Sequence, residues 1–127
     1  MEIQTHKLIS QEFCGTPLVV EKGYSKVELK TTDKMIVDET GLIHGGFLFG
    51  LADYAAMIAV NHPNVVLGAA QVKFIKPVKN NKTILAEAVV ENSEGKKQNV
   101  NVTITNGKDI VFQGMFTCFV LEKHVLK

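Results

Sequence analysis

An α+β fold, with one curved antiparallel β-sheet wrapped around a single long buried central helix, is what three features of this sequence predict. First, "GLIHGGFLFGLADYAAMIAVN", residues 41 to 61, is apolar on nearly every side and too long for a strand. Second, segments on both sides of it alternate or run apolar at strand length, with turn residues between them. Third, "NG" at 106 and 107 joins two of those segments and is a strong short-range hairpin signal. A helix without a polar face must be enclosed, and the strands are what this chain offers to enclose it.

Each element follows in order. Ile3, Leu8, Ile9 and Phe13 are spaced for a short amphipathic helix over residues 3 to 13, broken by "GTP" at 15 to 17. From Gly23, Ser25, Val27 and Leu29 alternate with Lys26, Glu28 and Lys30, which predicts a strand with one wet face. "TTDK" reads as a turn and "MIV" after it as a short extended piece. The central helix runs from about Gly46 to Asn61, rich in Leu, Ala, Met and Phe, and "NHPN" stops it because Pro63 cannot continue a helix. Residues 66 to 77 read as a strand ending at Pro77. In residues 83 to 91, Ile84, Ala86, Ala88 and Val90 face one way, and "NSEGKK" then turns the chain. Residues 98 to 105 set Val100, Val102 and Ile104 against Asn101, Thr103 and Thr105. Residues 109 to 121 are apolar on both faces, so that strand is expected at the sheet centre or in an interface.

At 127 residues the chain reads as one domain, residues 1–127, large enough for a real core. Its formal net charge of +1 carries no basic footprint for nucleic acid. No apolar run is long enough to span a membrane. The opening "MEIQTHKLISQEF" has an early acid and no apolar centre, so it does not read as a signal peptide. Cys14 and Cys118 sit in apolar contexts without metal-ligand spacing, which fits two free thiols in a reducing cytoplasm and no metal site.

The order strand, long helix, four strands, together with His44-Gly45-Gly46, Leu51-Ala52-Asp53 and the strand "AAQVKFIKPV", resembles the hotdog-fold superfamily. Within it, the chain resembles the phenylacetate-pathway (PaaI-like) acyl-CoA thioesterases, over about residues 23 to 121. The resemblance implies hydrolysis of an acyl-CoA thioester, with coenzyme A as part of the substrate and no separate cofactor. It also implies a homodimer with two active sites, coenzyme A lying across the interface, and association of such dimers in pairs.

The residues read as follows beside that resemblance. A carboxylate among apolar neighbours has its pKa raised, and burying it unpaired is costly. Asp53 is therefore a candidate general base or nucleophile; the plainer alternative is that it hydrogen-bonds a neighbouring strand and shapes the core. Gly45 and Gly46 leave the positive end of a helix bare, which suits a carbonyl oxygen and the oxyanion formed from it; they also ease a strand-to-helix turn. The family implies the Gly45 N–H as the donor. Gly45 and Asp53 are eight residues apart on one helix, about 12 Å, and on different faces. One thioester carbon cannot touch both, whereas a two-fold axis can bring Asp53 of one copy to Gly45 of another.

His44 reads as a cap or site-orienting residue rather than a direct proton carrier; His6, His62 and His124 read as surface or terminal residues. Asp38 stands where the subfamily often has Asn, and Asp donates no hydrogen bond unless protonated; a second acid is also able to raise the pKa of Asp53 if it lies near the site. Gly68 and Ala69 stand where the family often has Ser or Thr behind the acid. Lys73, Lys76, Lys79 and Lys82 cluster around Pro77, either as a solvated edge or as contacts for coenzyme A phosphates, Lys76 being the substrate-binding candidate. Phe47, Leu48, Tyr54, Met57 and Phe74 are core or acyl-pocket lining. Two other readings stay open on the same fold: a hydratase or dehydratase acting on acyl thioesters, and a non-catalytic acyl-CoA binder. The 127 residues show no DNA-binding segment, which is read against a repressor.

Overall fold

The computed structural model describes residues 1–127. Helix α1 (Gln11–Cys14) and strand β1 (Thr16–Glu21) are followed by β2 (Tyr24–Lys30), a 3-10 turn (Asp33–Met35), the long helix α2 (Gly45–Val60), and strands β3 (Val65–Phe74), β4 (Thr83–Glu94), β5 (Lys97–Asn106) and β6 (Asp109–Val120). The strands form one antiparallel sheet in the order β1-β2-β4-β5-β6-β3. The sheet curves around α2 with helix and sheet sharing one core, which is the hotdog fold in the α+β class.

Period-two patterning puts the right residues inside. Val27, Leu29, Ile84, Ala86, Ala88, Val100, Val102 and Ile104 are all buried against Leu51, Ala52, Ala55, Ala56, Ile58 and Ala59 of α2. Alanines on both surfaces let helix and sheet approach closely. Ser25 sits among them without penalty because its Oγ–H donates to the Ala55 carbonyl at 2.7 Å, pinning β2 to the helix. β6 lies between β5 and β3, and both Val111 and Phe112 are buried, so its two-faced apolar pattern reflects an interior strand.

The hairpin at "NG" works through its second residue. Asn106 still pairs with Asp109, and Gly107, with φ 60°, is the first of two loop residues. That is the position at which a type II′ turn requires positive φ. Gly95, with φ 59°, repeats the device between Glu94 and Lys97. Helix α2 stops at Asn61, which takes the left-handed conformation (φ 54°) and returns its N–H to the Met57 carbonyl, two residues before Pro63.

Four expectations need correction. The amphipathic helix over 3 to 13 is reduced to the single turn of α1; Ile3 and Ile9 pack on the core from an irregular segment anchored by the Met1 amine on the Val20 carbonyl and by Asn61 on the Glu2 and Gln4 backbone. Strand β1 is not signalled by the sequence, because "GTP" reads as a breaker. It is an edge strand, where the missing N–H of Pro17 is tolerated. β3 ends at Phe74 rather than at Pro77. Finally, α2 is not enclosed all round: Gly46 is exposed, and Phe47, Gly50 and Asp53 are only partly covered, because six strands and one helical turn do not reach around the whole helix.

Candidate functional site

The start of α2 is built by its own cap. His44 has extended backbone (φ −62°, ψ 132°), and its Nδ1 accepts the Gly46 N–H at 2.7 Å. With Nδ1 accepting, the neutral ring carries its proton on Nε2. A Cβ on Gly46 would stand 2.7 Å from that same Nδ1, so Gly46 is a glycine because the capping ring folds over it. The Gly46 amide is therefore consumed inside the chain. The N–H of Gly45 makes no hydrogen bond, and it is the free donor at the positive end of the helix.

Opposite Gly45 lies the Phe74 ring, 3.1 Å from where a Gly45 Cβ would be. Phe74 is 54% exposed and stacks edge-on against Phe112, with centroids 5.2 Å apart. Between the helix start and the segment after β3 runs a cleft of about 240 Å³, lined by Ile43, Gly45, Leu48, Phe74, Lys76 and Pro77 among others. Three of the sequence-predicted residues, Gly45, Phe74 and Lys76, thus meet here. Lys76 forms a solvent-exposed ion pair with Asp109 at 3.0 Å.

Asp53 lies two turns further along α2. Its Oδ1 is buried without a hydrogen-bond partner, and its Oδ2 has none either. Burial pushes its pKa from 3.8 up to about 6. The Cys14 and Cys118 thiols are pushed up, first by burial and then by the Asp53 charge, Cys118 to about 12. Within one chain, burial is the cause of the Asp53 shift. Asp38 is exposed and accepts both the N–H (2.9 Å) and the hydroxyl (2.6 Å) of Thr40, which hold its carboxyl below the usual range.

The remaining candidates are dispersed. Phe47 is half-buried and packs on Phe13, centroids 5.8 Å apart. Tyr54 is only 3% exposed and belongs to the core, not to an open lining. Gly68 sits at the bulge between Leu67 and Ala69, with the Phe119 ring across the place of its Cβ. Ala69 is exposed beside it on β3, away from the cleft. Nothing in the sequence marks Cys14 or Phe13 as site residues; Cys14 is distant from Gly50 along the chain, and only the docking of α1 on α2 sets its Sγ beside that glycine. No cluster of three His, Cys, Asp or Glu side chains is placed to share a metal ion, and no helix is long and apolar enough to cross a membrane.

Chemically, one chain holds two separate halves. A free N–H faces the cleft at the start of α2, and a carboxyl inclined to bind protons near neutrality sits on the partly covered stripe. The helix between them is unbroken, so about 12 Å separates them along its axis.

Residues 40–112 match the family model described as the thioesterase superfamily. Among curated relatives, the chain is 51% identical over 123 residues to a methylthioribose-1-phosphate isomerase of Aquifex aeolicus, covering 96% of the chain but 27% of that protein. It is 30% identical over 117 residues to the transcription factor FapR of Staphylococcus aureus, covering 91% of the chain and 63% of that protein. The chain therefore spans less than two thirds of either relative. Among solved structures, an uncharacterized Pyrococcus horikoshii protein superposes with TM-score 0.99 at 53% identity, over 100% of this chain and 98% of that one. A Streptococcus mutans protein solved bound to acetyl CoA gives 0.82 at 26%, over 94% and 97%. An N33D mutant of the phenylacetic acid degradation protein PaaI from Thermus thermophilus gives 0.80 at 26%, over 87% and 97%.

Proposed function

The chain belongs to the thioesterase superfamily, and from that premise we propose that it hydrolyses an acyl-CoA thioester to the free acid and coenzyme A, at sites formed between two copies of the chain. The observation that carries this reading is Asp53: a carboxyl with a buried, unpartnered oxygen and a pKa of about 6, on a helix whose other end presents the free Gly45 N–H. A structural carboxylate would have found a donor.

The two halves are joined by symmetry. β3 is a long edge strand whose exposed middle, Gly68, Ala69, Ala70 and Gln71, has small or uncharged side chains and nothing to stop another strand pairing with it. Pairing of two copies through this edge carries the Asp53 stripe of one toward the helix start of the other. The thioester carbonyl accepts from the Gly45 N–H of one copy, where the helix dipole favours the developing oxyanion. Asp53 of the other takes a proton from water, whose oxygen attacks the carbonyl carbon. Collapse of the tetrahedral intermediate breaks the C–S bond, and Asp53 returns the proton to the departing thiolate. Direct attack by the Asp53 carboxylate, with water resolving the anhydride, uses the same geometry. The cleft beside Gly45 takes the pantetheine arm, and Lys76 exchanges Asp109 for a phosphate. His44 orients the helix start. Support from relatives is the acetyl CoA bound by the Streptococcus mutans protein and the PaaI likeness.

A second reading, a non-catalytic acyl-CoA-binding domain, is favoured by the likeness to a transcription factor. Thiol release from a panel of acyl-CoA thioesters, native protein beside Asp53→Asn, separates the two. Hydrolysis that falls roughly 10²–10⁴-fold in the variant is expected for a lost general base. Binding without release on any thioester would shift the assignment to the binder.

A further inference from the structure

Gly50 lies inside α2, in the helical region of backbone space, where glycine is disfavoured relative to alanine. The other two glycines of the helix have a reason within the chain: a Cβ on Gly45 would press on Phe74 at 3.1 Å, and one on Gly46 on His44 at 2.7 Å. A Cβ on Gly50 would meet only the Cys14 Sγ, at an ordinary 3.8 Å. Nothing inside this chain therefore requires the glycine. It is only partly covered and precedes Asp53 by three residues, so the two share one face, and the missing methyl group leaves a gap about one helical turn from the buried carboxyl. Beyond the gap come Phe47, three residues back, and Phe13 stacked on it, with Cys14 as the side wall. Glu12, the neighbour of Phe13 in sequence, is turned to Lys34.

Resting on the thioesterase reading, we propose that Gly50 is the specificity-determining residue of the acyl site: the gap admits an apolar acyl group longer than acetyl, aryl or medium-chain, running from Asp53 over Gly50 toward the Phe13–Phe47 pair. One helical turn is about 5.4 Å, so an acyl group anchored with its carbonyl carbon at Asp53 reaches Gly50 only beyond its third or fourth carbon. Acetyl does not reach it. A dicarboxylic acyl group of that length would place its second carboxylate on the apolar wall of Phe13, Cys14 and Phe47 and is rejected.

The test compares native protein, Gly50→Ala and Cys14→Ala on acetyl-, hexanoyl-, phenylacetyl- and adipoyl-CoA, reading kcat/KM, dissociation constants and Tm. Gly50→Ala is expected to keep or raise Tm, keep acetyl-CoA turnover, and lower the hexanoyl-to-acetyl and phenylacetyl-to-acetyl ratios at least tenfold. Cys14→Ala, which widens the same gap, moves those ratios the other way. Ratios unchanged within twofold in both variants, or adipoyl-CoA preferred to hexanoyl-CoA by the native protein, overturn the assignment of Gly50. If the native protein binds these thioesters without cleaving them, the hydrolytic reading falls while the same ratios, taken from dissociation constants, still decide Gly50. Absence of binding to all four overturns both.

Discussion

Replacing Asp53 with Asn is expected to make the protein more stable at neutral pH while removing its activity. Asn is close in shape to the protonated acid, so the substitution removes the ionisation and little else. In the unfolded chain the carboxyl titrates near 3.8, and in the folded protein at about 6. Well below pH 3.8 both states are protonated and burial carries no ionisation penalty. As pH rises the unfolded chain loses its proton first, so stability falls between about 4 and 6 and levels off above. A carboxyl raised that far costs the folded state about 3 kcal/mol once ionised; because Asp53 is only partly covered, water screens this to about 2 kcal/mol. For a domain of this size that is a rise in Tm of about 6 to 10 °C. The assay is thermal and urea unfolding of native and Asp53→Asn protein from about pH 3 to about pH 8, at one fixed protein concentration, since any association adds its own stabilisation. The two proteins should agree at the acid end and diverge by neutrality. Parallel curves, or a variant less stable above neutrality, would show that the carboxylate has a favourable partner and that burial does not govern its titration.

Gly68 and the cap at His44 can be tested separately. Gly68→Ala drives a methyl group into the Phe119 ring and should lower stability by about 1–3 kcal/mol, with partial rescue by Phe119→Leu; an unchanged Tm would mean that the ring swings away freely. His44→Ala removes the acceptor of the Gly46 N–H and should cost about 1 kcal/mol of stability. Its thioester turnover should stay within tenfold of native. A loss of a hundredfold or more at unchanged Tm would put the imidazole in the chemistry.

What can be read from sequence follows from how local each cause is. β2, β4 and β5 announce themselves because one face of each meets the core and the other meets water. α2 announces itself because it is too long and too apolar for anything else. β1 escapes because an edge strand tolerates Pro17, and Pro17 after Gly15 imitates a loop. The helix expected over residues 3 to 13 fails because Ile3 and Ile9 reach the core from an irregular segment held by distant partners, the Val20 carbonyl and the Asn61 side chain. At the site, Asp53 is legible as an acid out of place. The division of labour between Gly45 and Gly46 is not, since it depends on where the His44 ring turns. Nor is the approach of Cys14 to Gly50 or of Lys76 to Asp109, which bring together elements far apart in the chain.

The two rims of the sheet are unlike each other, and this limits what can grow from them. The β1 rim carries Pro17 and a break in register between Pro17 and Val19, so it offers a poor template for another strand. The β3 rim is long and unguarded. A chain with one blunt rim and one receptive rim adds a neighbour on one side only. When two receptive rims meet, each satisfies the other and only blunt rims face outward, so strand addition ends at two. Under the pairing proposed through β3, the sheet is thereby kept from growing into a fibril without a covering helix or a run of charges along the joining strand.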